Sequence, residues 1–358
     1  MKRITLCALL ITLFLFLSCG SGHQSAMGGG AATGGSSLSS VLMDIGRSAE
    51  NAFYSFLELL SDTLGFTAKS TTKKNDVGSY FNGLGEKLGV ASEELEQVAV
   101  KATAGVDTSD ASKDPIRVAI ETAKATLITL KTHLESLKDI GDGNIVGHAH
   151  NAQGAGTKAD DAESNKFLKA LQEIVKVATD VGVTALKAGA TTLQANGGED
   201  NKDGAKILAT SAGNPAAADV AKAAAILATV SGEEILASIV ASQEGDVKAV
   251  TAAATANTTS LEFAKGGTAD NLAKDTAKAA AVAGGIALRS LVKTGKLAAG
   301  AADNATGGEK EVQGVGITAV NKLLVAVEDI IKKTVKNVLE KAKGEIDKAR
   351  APKTAAHQ

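Results

Sequence analysis

From Val315 to about Ile346 the large apolar residues of this chain recur every three or four positions. Ile317, Val320, Leu323, Leu324, Val327, Ile330, Ile331, Val335, Val338, Leu339, Ala342 and Ile346 fall on one stripe of a helix. A helix of that length cannot cover its own apolar stripe, so it requires partners of similar length. A chain built around such an element is drawn to helix-on-helix packing. Composition agrees: aromatic residues make up 3% of the sequence, Trp is absent, and only 3 Pro stand against 38 Gly. Strand-rich folds lean on aromatic and β-branched alternation. Here long Ala, Leu, Lys, Glu and Val stretches at helical spacing are interrupted by Gly/Asn/Asp clusters. The expected fold class is all-α, an elongated helical bundle with paired N- and C-terminal helices.

The partner expected for the last helix is the first, Val41 to Leu64, carried by Leu42, Ile45, Ala49, Ala52, Phe53, Phe56, Leu60 and Leu64 and closed by Gly65. The aromatic stripe Phe53, Tyr54, Phe56, Phe66, Tyr80 and Phe81 reads as core rather than as a ligand site. A helical but Gly-broken stretch runs from Val77 to Ala104. Asp114-Pro115 opens a clear helix through an N-cap followed by Pro at the first helical position. Ile116, Ala119, Ile120, Ala123, Leu127, Leu130, Leu134 and Leu137 form its apolar set. A further helix is expected over Ser164 to Leu193, and Asn214-Pro215 opens another. Ala221-Lys222-Ala223-Ala224-Ala225 recurs at Ala277 to Ala281, but the flanks diverge and no repeat is assigned. Four stretches poor in core formers read as loops: Gly141–Asn165, Ala195–Gly204, Lys265–Asn271 and Gly300–Gly314.

Lys332, Lys333, Lys336, Lys341 and Lys343 crowd the end of the last helix, where the helix dipole favours cations. A basic amphipathic helix can lie on an anionic membrane. Glu328, Asp329, Glu340, Glu345 and Asp347 interleave with those lysines, so a helix packed in a bundle is the better reading.

The N-terminus has a different character. Lys2 and Arg3 precede an apolar run from Ile4 to Leu17, and Ser18-Cys19-Gly20 follows. The run is short for a membrane span and reads as a secretory signal. The Cys at the break resembles a bacterial lipoprotein signal, in which cleavage between Ser18 and Cys19 leaves an acylated Cys19 as the first mature residue. The alternative is an ordinary cleaved signal with an incidental Cys. Phe16-Leu17-Ser18-Cys19 departs from the usual pattern of Leu, two small residues and Cys; spirochaete lipoproteins tolerate this looser form. The domain layout follows: residues 1–18 as signal peptide, 19–40 as lipidated Cys and flexible tether, 41–350 as one helical domain, 351–358 as a disordered tail. The tether Gly20 to Ser40 is nearly free of large apolar residues.

Removal of residues 1–18 takes away Lys2, Arg3 and Cys7 and no acid, moving the net charge from −2 to −4. An acidic balance without basic runs gives no electrostatic case for binding nucleic acid. No free thiol remains if Cys19 is acylated, so the exported domain stands on burial alone, for which some 340 residues are ample. No catalytic constellation emerges. His148 and His150 form an H-x-H in a Gly-rich loop without a neighbouring Cys or acidic pair, a weak metal signal. Glu199 to Gly204 resembles the start of a calcium loop, yet the position that needs a bidentate Glu holds Thr210. Gly284-Gly285 and Gly307-Gly308 lack a following Lys-Ser/Thr phosphate signature. The expectation is no enzyme, no cofactor and no metal.

Four blocks carry a more specific resemblance. LFLSCGSG (Leu15 to Gly22), KNDVGSYFNGLGEKL (Lys74 to Leu88), IALRSLVKTGKLAAGA (Ile286 to Ala301) and the tail from Ala319 to Arg350 are similar to the variable large protein (Vlp) family, variable major outer-surface lipoproteins of relapsing-fever spirochaetes. The resemblance implies an antigen on the extracellular face of the cell outer membrane, held by palmitate and other acyl chains at Cys19 and expressed from one of many silent-copy alleles. It also implies a helical fold related to the Lyme spirochaete's variable surface antigen. The function it implies is immune evasion by antigenic variation, with host antibodies as partners. The alternative is an adhesin for a host surface ligand; a basic or aromatic exposed patch would mark it, and the sequence shows neither clearly. Self-association into a homo-oligomer stays open.

Overall fold

The spine of the fold is one long helix. A computed structural model of the chain describes residues 64–103, 115–194 and 200–350, which lie in one compact unit. The described helices are α1 (Lys74–Thr103), α2 (Pro115–Glu135), α3 (Asp161–Asp180), α4 (Ala217–Ala228), α5 (Gly232–Val240), α6 (Ser260–Lys265), α7 (Ala269–Leu272), α8 (Ala279–Leu291) and α9 (Glu309–Arg350). A 3-10 segment, Lys202–Leu208, precedes α4. Among the described residues, β pairing is limited to isolated bridges. The signal, the tether, the tail and all of the expected first helix except Leu64 lie outside the described residues, and Leu64 itself is not helical.

Helix α9 has 42 residues, about 63 Å at 1.5 Å per residue. Its buried stripe is the one read from the sequence, from Val320, Leu323 and Leu324 to Leu339, Ala342 and Ile346. It begins six residues earlier than Val315, at Glu309. Glu309 and Glu311 put negative charge on the first turn, and Glu311 Oε2 accepts from Gly307 N at 2.6 Å. Val312 and Val315 are buried and extend the stripe backwards. The expected loop Gly300–Gly314 therefore loses the stretch from Glu309 onward to helix.

Helices α1 and α2 form an antiparallel pair: Lys124 Nζ meets Glu96 at 2.7 Å, and Gly78 sits against the chain at Lys138. The Gly-broken reading of α1 is corrected here. The helix runs unbroken for 30 residues. Several of its glycines are points of close approach to α2 or to the chain just past its end: a Cβ on Gly85 would lie 3.1 Å from Lys131 O, and one on Gly78 would lie 2.2 Å from Lys138 O. Leu84, Leu88 and Leu95 meet Leu127, Leu130 and Leu134 in the core. Phe66 stacks on Tyr80 with ring centroids 4.8 Å apart, in keeping with a structural role for these aromatics.

Helix α3 is shorter than expected. Asp160 caps it through a bond from Glu163 N, but it ends at Asp180 instead of Leu193. Gly182 has φ +91°, and Val183 N bonds back to Ala178 O. Only a residue at ease in the left-handed region turns the chain there. The following segment is non-helical, and Leu193 N bonds Ala277 O. Helix α8 lies at the centre, with all 13 residues buried. The two Ala-Lys-Ala segments take different roles: Lys222 lies inside α4, whereas Lys278 precedes α8 at its N-cap.

Candidate antigenic surface

Residues 293–299, between α8 and α9, form an irregular strip onto which other loops are strapped by main-chain bonds. Lys293 N donates to Ile140 O, and Asp160 N to Lys293 O. Thr157 and Lys296 exchange two bonds, of 2.8 and 3.0 Å. Leu297 N donates to His148 O, and Leu297 O accepts from His150 N; Ala299 and Gly154 pair reciprocally; Ala298 N reaches Ile207 O. This accounts for backbone groups that irregular chain would otherwise leave unpaired.

The four expected loops fare differently on this frame. In Gly141–Asn165, Val146, Ala149 and Ala159 are buried while Asn151, Ala152, Gln153, Thr157 and Lys158 are exposed. Only its tips are surface, so the expectation that the loops contribute little to the core is corrected. Lys265–Asn271 is corrected more strongly. Lys265, Gly266, Gly267 and Ala269 are buried, and Gly267 bridges both Ala209 and Val250. Within Ala195–Gly204, residues 195–199 lie outside the described chain, and Asp200 and Asp203 pair with Lys202, Lys206 and Lys222. Those lysines occupy the carboxylates that resembled a calcium loop. In Gly300–Gly314, Ala302 to Thr306 are exposed. Sequence reading missed two exposed runs, Ser211–Asn214 and the stretch around Thr251–Asn257. Thr, Ala and Asn in the second carry the turn signal, with Ala254 buried as its anchor.

The remaining candidate residues do not assemble into chemistry. His150 Nδ1 lies 3.1 Å from Ala152 O and 3.3 Å from Ala152 N. His148 is half-buried; desolvation, then Lys296 and Lys74, push its pKa down, so it is neutral at pH 7. No group of three or more His, Cys, Asp and Glu is placed for a metal among the described residues. Gly284 and Gly285 lie inside α8 against Ser260 and Phe263. A groove of about 1000 Å³ runs beside α9, lined by Leu186, Lys187, Glu233, Val325, Asp329 and Lys333. Asp329 and Lys333 pair within it at 2.7 Å. Ser18 and Cys19 lie outside the described residues.

Exposed tips on a main-chain frame over packed helices define a class by architecture: an all-helical protein with tightly bonded irregular loops. The sequence profile of the Borrelia lipoprotein family matches residues 49–346. Variable large protein 7 of Borrelia hermsii is 65% identical over 350 residues, covering 98% of this chain and 95% of that protein. Variable large protein 21 of the same organism is 58% identical, covering 100% and 98%. Among solved structures, the Lyme disease variable surface antigen VlsE of Borrelia burgdorferi superposes with a TM-score of 0.66 at 25% identity, covering 86% of this chain and 97% of that one. The chain belongs to the variable large proteins, within the Borrelia lipoprotein family.

Proposed function

We propose that this chain is a non-catalytic outer-surface antigen, anchored by acyl chains on Cys19, whose exposed loop tips meet host antibodies and vary to evade them. The observation that carries the reading is the split within two of the loops, Gly141–Asn165 and Gly300–Gly314. Asn151 to Gln153 and Ala302 to Thr306 are exposed, while the neighbouring main chain is tied into the core. Substitutions at exposed tips cost about 0.5 kcal/mol or less, so the surface changes while the fold survives.

In this reading residues 1–18 are the signal, 19–40 the tether, 41–350 the domain and 351–358 the tail. Gly65 N and Phe66 N donate to Glu328, and Ala68 N to Asn321, so from Ala68 back to Gly65 the chain runs along α9 toward its C-terminal end. Two or more acyl chains hold a protein stably on a bilayer.

Protease added to intact cells should remove the protein, and Cys19→Ala should abolish both signal cleavage and palmitate labelling. Resistance of the protein on intact cells places it on the periplasmic side, and labelling that survives in the variant rules out Cys19 as the anchor. Salt-sensitive binding of the purified domain to a host matrix panel would favour the adhesin instead.

A further inference from the structure

Buried cations lie beneath the loops, and most of their bonds end on main-chain oxygen. Arg289, in the middle of α8, is fully buried. Its Nε donates to Ala264 O at 2.8 Å, and its Nη2 to Leu208 O at 3.1 Å and Phe263 O at 3.3 Å. Its Nη1 lies 3.5 Å from Lys296 O. Lys74, the first residue of α1, is also fully buried and donates to Val292 O at 2.9 Å and Gly295 O at 2.6 Å. Gln313 of α9 adds bonds to Ser70 O at 2.8 Å and Val146 O at 3.3 Å.

A guanidinium buried without a carboxylate is costly. It persists where the carbonyls it satisfies have no better donor. The planar fork of Arg suits that task, because its donors diverge in fixed directions. Here they reach the ends of three separate segments, at Leu208, Phe263–Ala264 and Lys296. A carbonyl is the same on every residue type, so such contacts do not register the loop side chains. Most bonds of the 293–299 strip to residues 140–160 and 207 are main chain to main chain and share that property; the exceptions are both at Thr294, whose N donates to Asp142 Oδ2 and whose Oγ1 donates to Lys158 O, each at 2.9 Å. None of these anchors lies in α2 or in the C-terminal half of α9.

We propose that Arg289 and Lys74 form a cationic socket that grips the loop layer through main-chain carbonyls, so that the layer opens as a unit separate from the α1–α2–α9 stem and is indifferent to the side chains at its exposed tips. The proposal gives the antigenic role a mechanism and rests on that reading for its meaning. Exchange on purified protein and antibody mapping on cells can nevertheless fail independently.

The test is hydrogen exchange on the purified domain. Arg289→Met and Lys74→Met should each lower protection of the amides of His150, Gly154, Thr157 and Lys296 to Ala299, by about 100-fold for Arg289→Met, with Leu127 and Leu130 in α2 unchanged. Arg289→Lys, which keeps the charge but loses the fork, should fall between. Simultaneous replacement of Asn151, Gln153, Thr251, Ala302 and Thr306 by Ser should leave all of these amides unchanged. Unaltered loop protection in Arg289→Met would overturn the socket, and loop protection lost in the Ser variant would overturn its indifference to side chains. Opening of α2 in step with the loops, or failure of both Met variants to fold, would overturn the separable layer.

Discussion

Lys74 brings a charge into a site with no exposed surface. Desolvation pushes its pKa down to about 8; Asp142 opposes the shift and Arg289 adds to it. Between that value and the ordinary 10.5 the fold has released a proton that the unfolded chain still holds. Stability contributed by this group therefore rises with pH through that window. Relative to Lys74→Met, the wild type should gain about 2 kcal/mol between pH 7 and pH 10. Urea unfolding of both proteins at the two pH values measures it, and a flat or falling difference would refute the buried-cation account. Burial pushes the pKa of Arg289 down as well, to about 9. Its burial had a signal in the sequence: one charge inside the otherwise uncharged run Ala279 to Val292. Such a run is buried on all sides, so its charge is too. Lys74 carried no such mark. It stands between Lys73 and Asn75, both exposed, and the fold of residues 141–144 and 292–295 around it removes it from water.

At the scale of the element, glycines explain most of the differences between expected and observed helices. A glycine in a helix reads as a break because it costs about 1 kcal/mol relative to Ala. In α1 that cost is outweighed by contact with α2. The two cases separate by experiment. Gly83 has no atom outside its own helix within 4 Å of a built Cβ, so Gly83→Ala should stabilise the protein by about 0.5–1 kcal/mol. Gly78 faces Lys138 O at 2.2 Å, so Gly78→Ala should destabilise it by about 1–3 kcal/mol. Thermal or denaturant unfolding of both variants decides the matter; the same sign for both would mean that α1 and α2 are not this close. At the end of α3 the opposite holds. Gly182 does stop the helix, because a positive φ there reverses the chain. Position in the sequence does not distinguish the two glycines; what lies opposite each one does.

For the whole molecule, stability rests on burial without a cross-link, since no Cys follows Cys19. The purified domain should give a helical circular dichroism spectrum that neither reductant nor chelator changes. A strand-dominated spectrum, or a loss of signal on chelation, would count against this fold. Antibodies raised to intact cells should map to Asn151–Gln153, Ser211–Asn214, Thr251–Asn257 and Ala302–Thr306, the exposed runs. They should miss Leu324, Ile331 and the segment around Lys265–Gly267, all buried. A dominant epitope at Lys265–Gly267 on live cells would show that the loop layer opens there.

The all-helical class, the stripe of α9 and the start of α2 at Pro115 were determined by sequence alone. Each is written in local spacing, with apolar residues one helical turn apart and a Pro where its missing N–H costs nothing. The family was legible in long blocks of residues for a different reason, since relatedness needs no folding to be seen. Tertiary structure alone decided which part of each loop is surface. Gly141–Asn165 and Lys265–Asn271 look alike in composition, yet one keeps an exposed tip and the other is enclosed over Lys265–Gly267. Their fate depends on main-chain bonds to the strip at 293–299, to Ala209 and to Val250, which are distant in sequence. A main-chain bond leaves no trace in the identity of the residue that makes it, and so the loop layer could be read only once the chain had folded around Arg289.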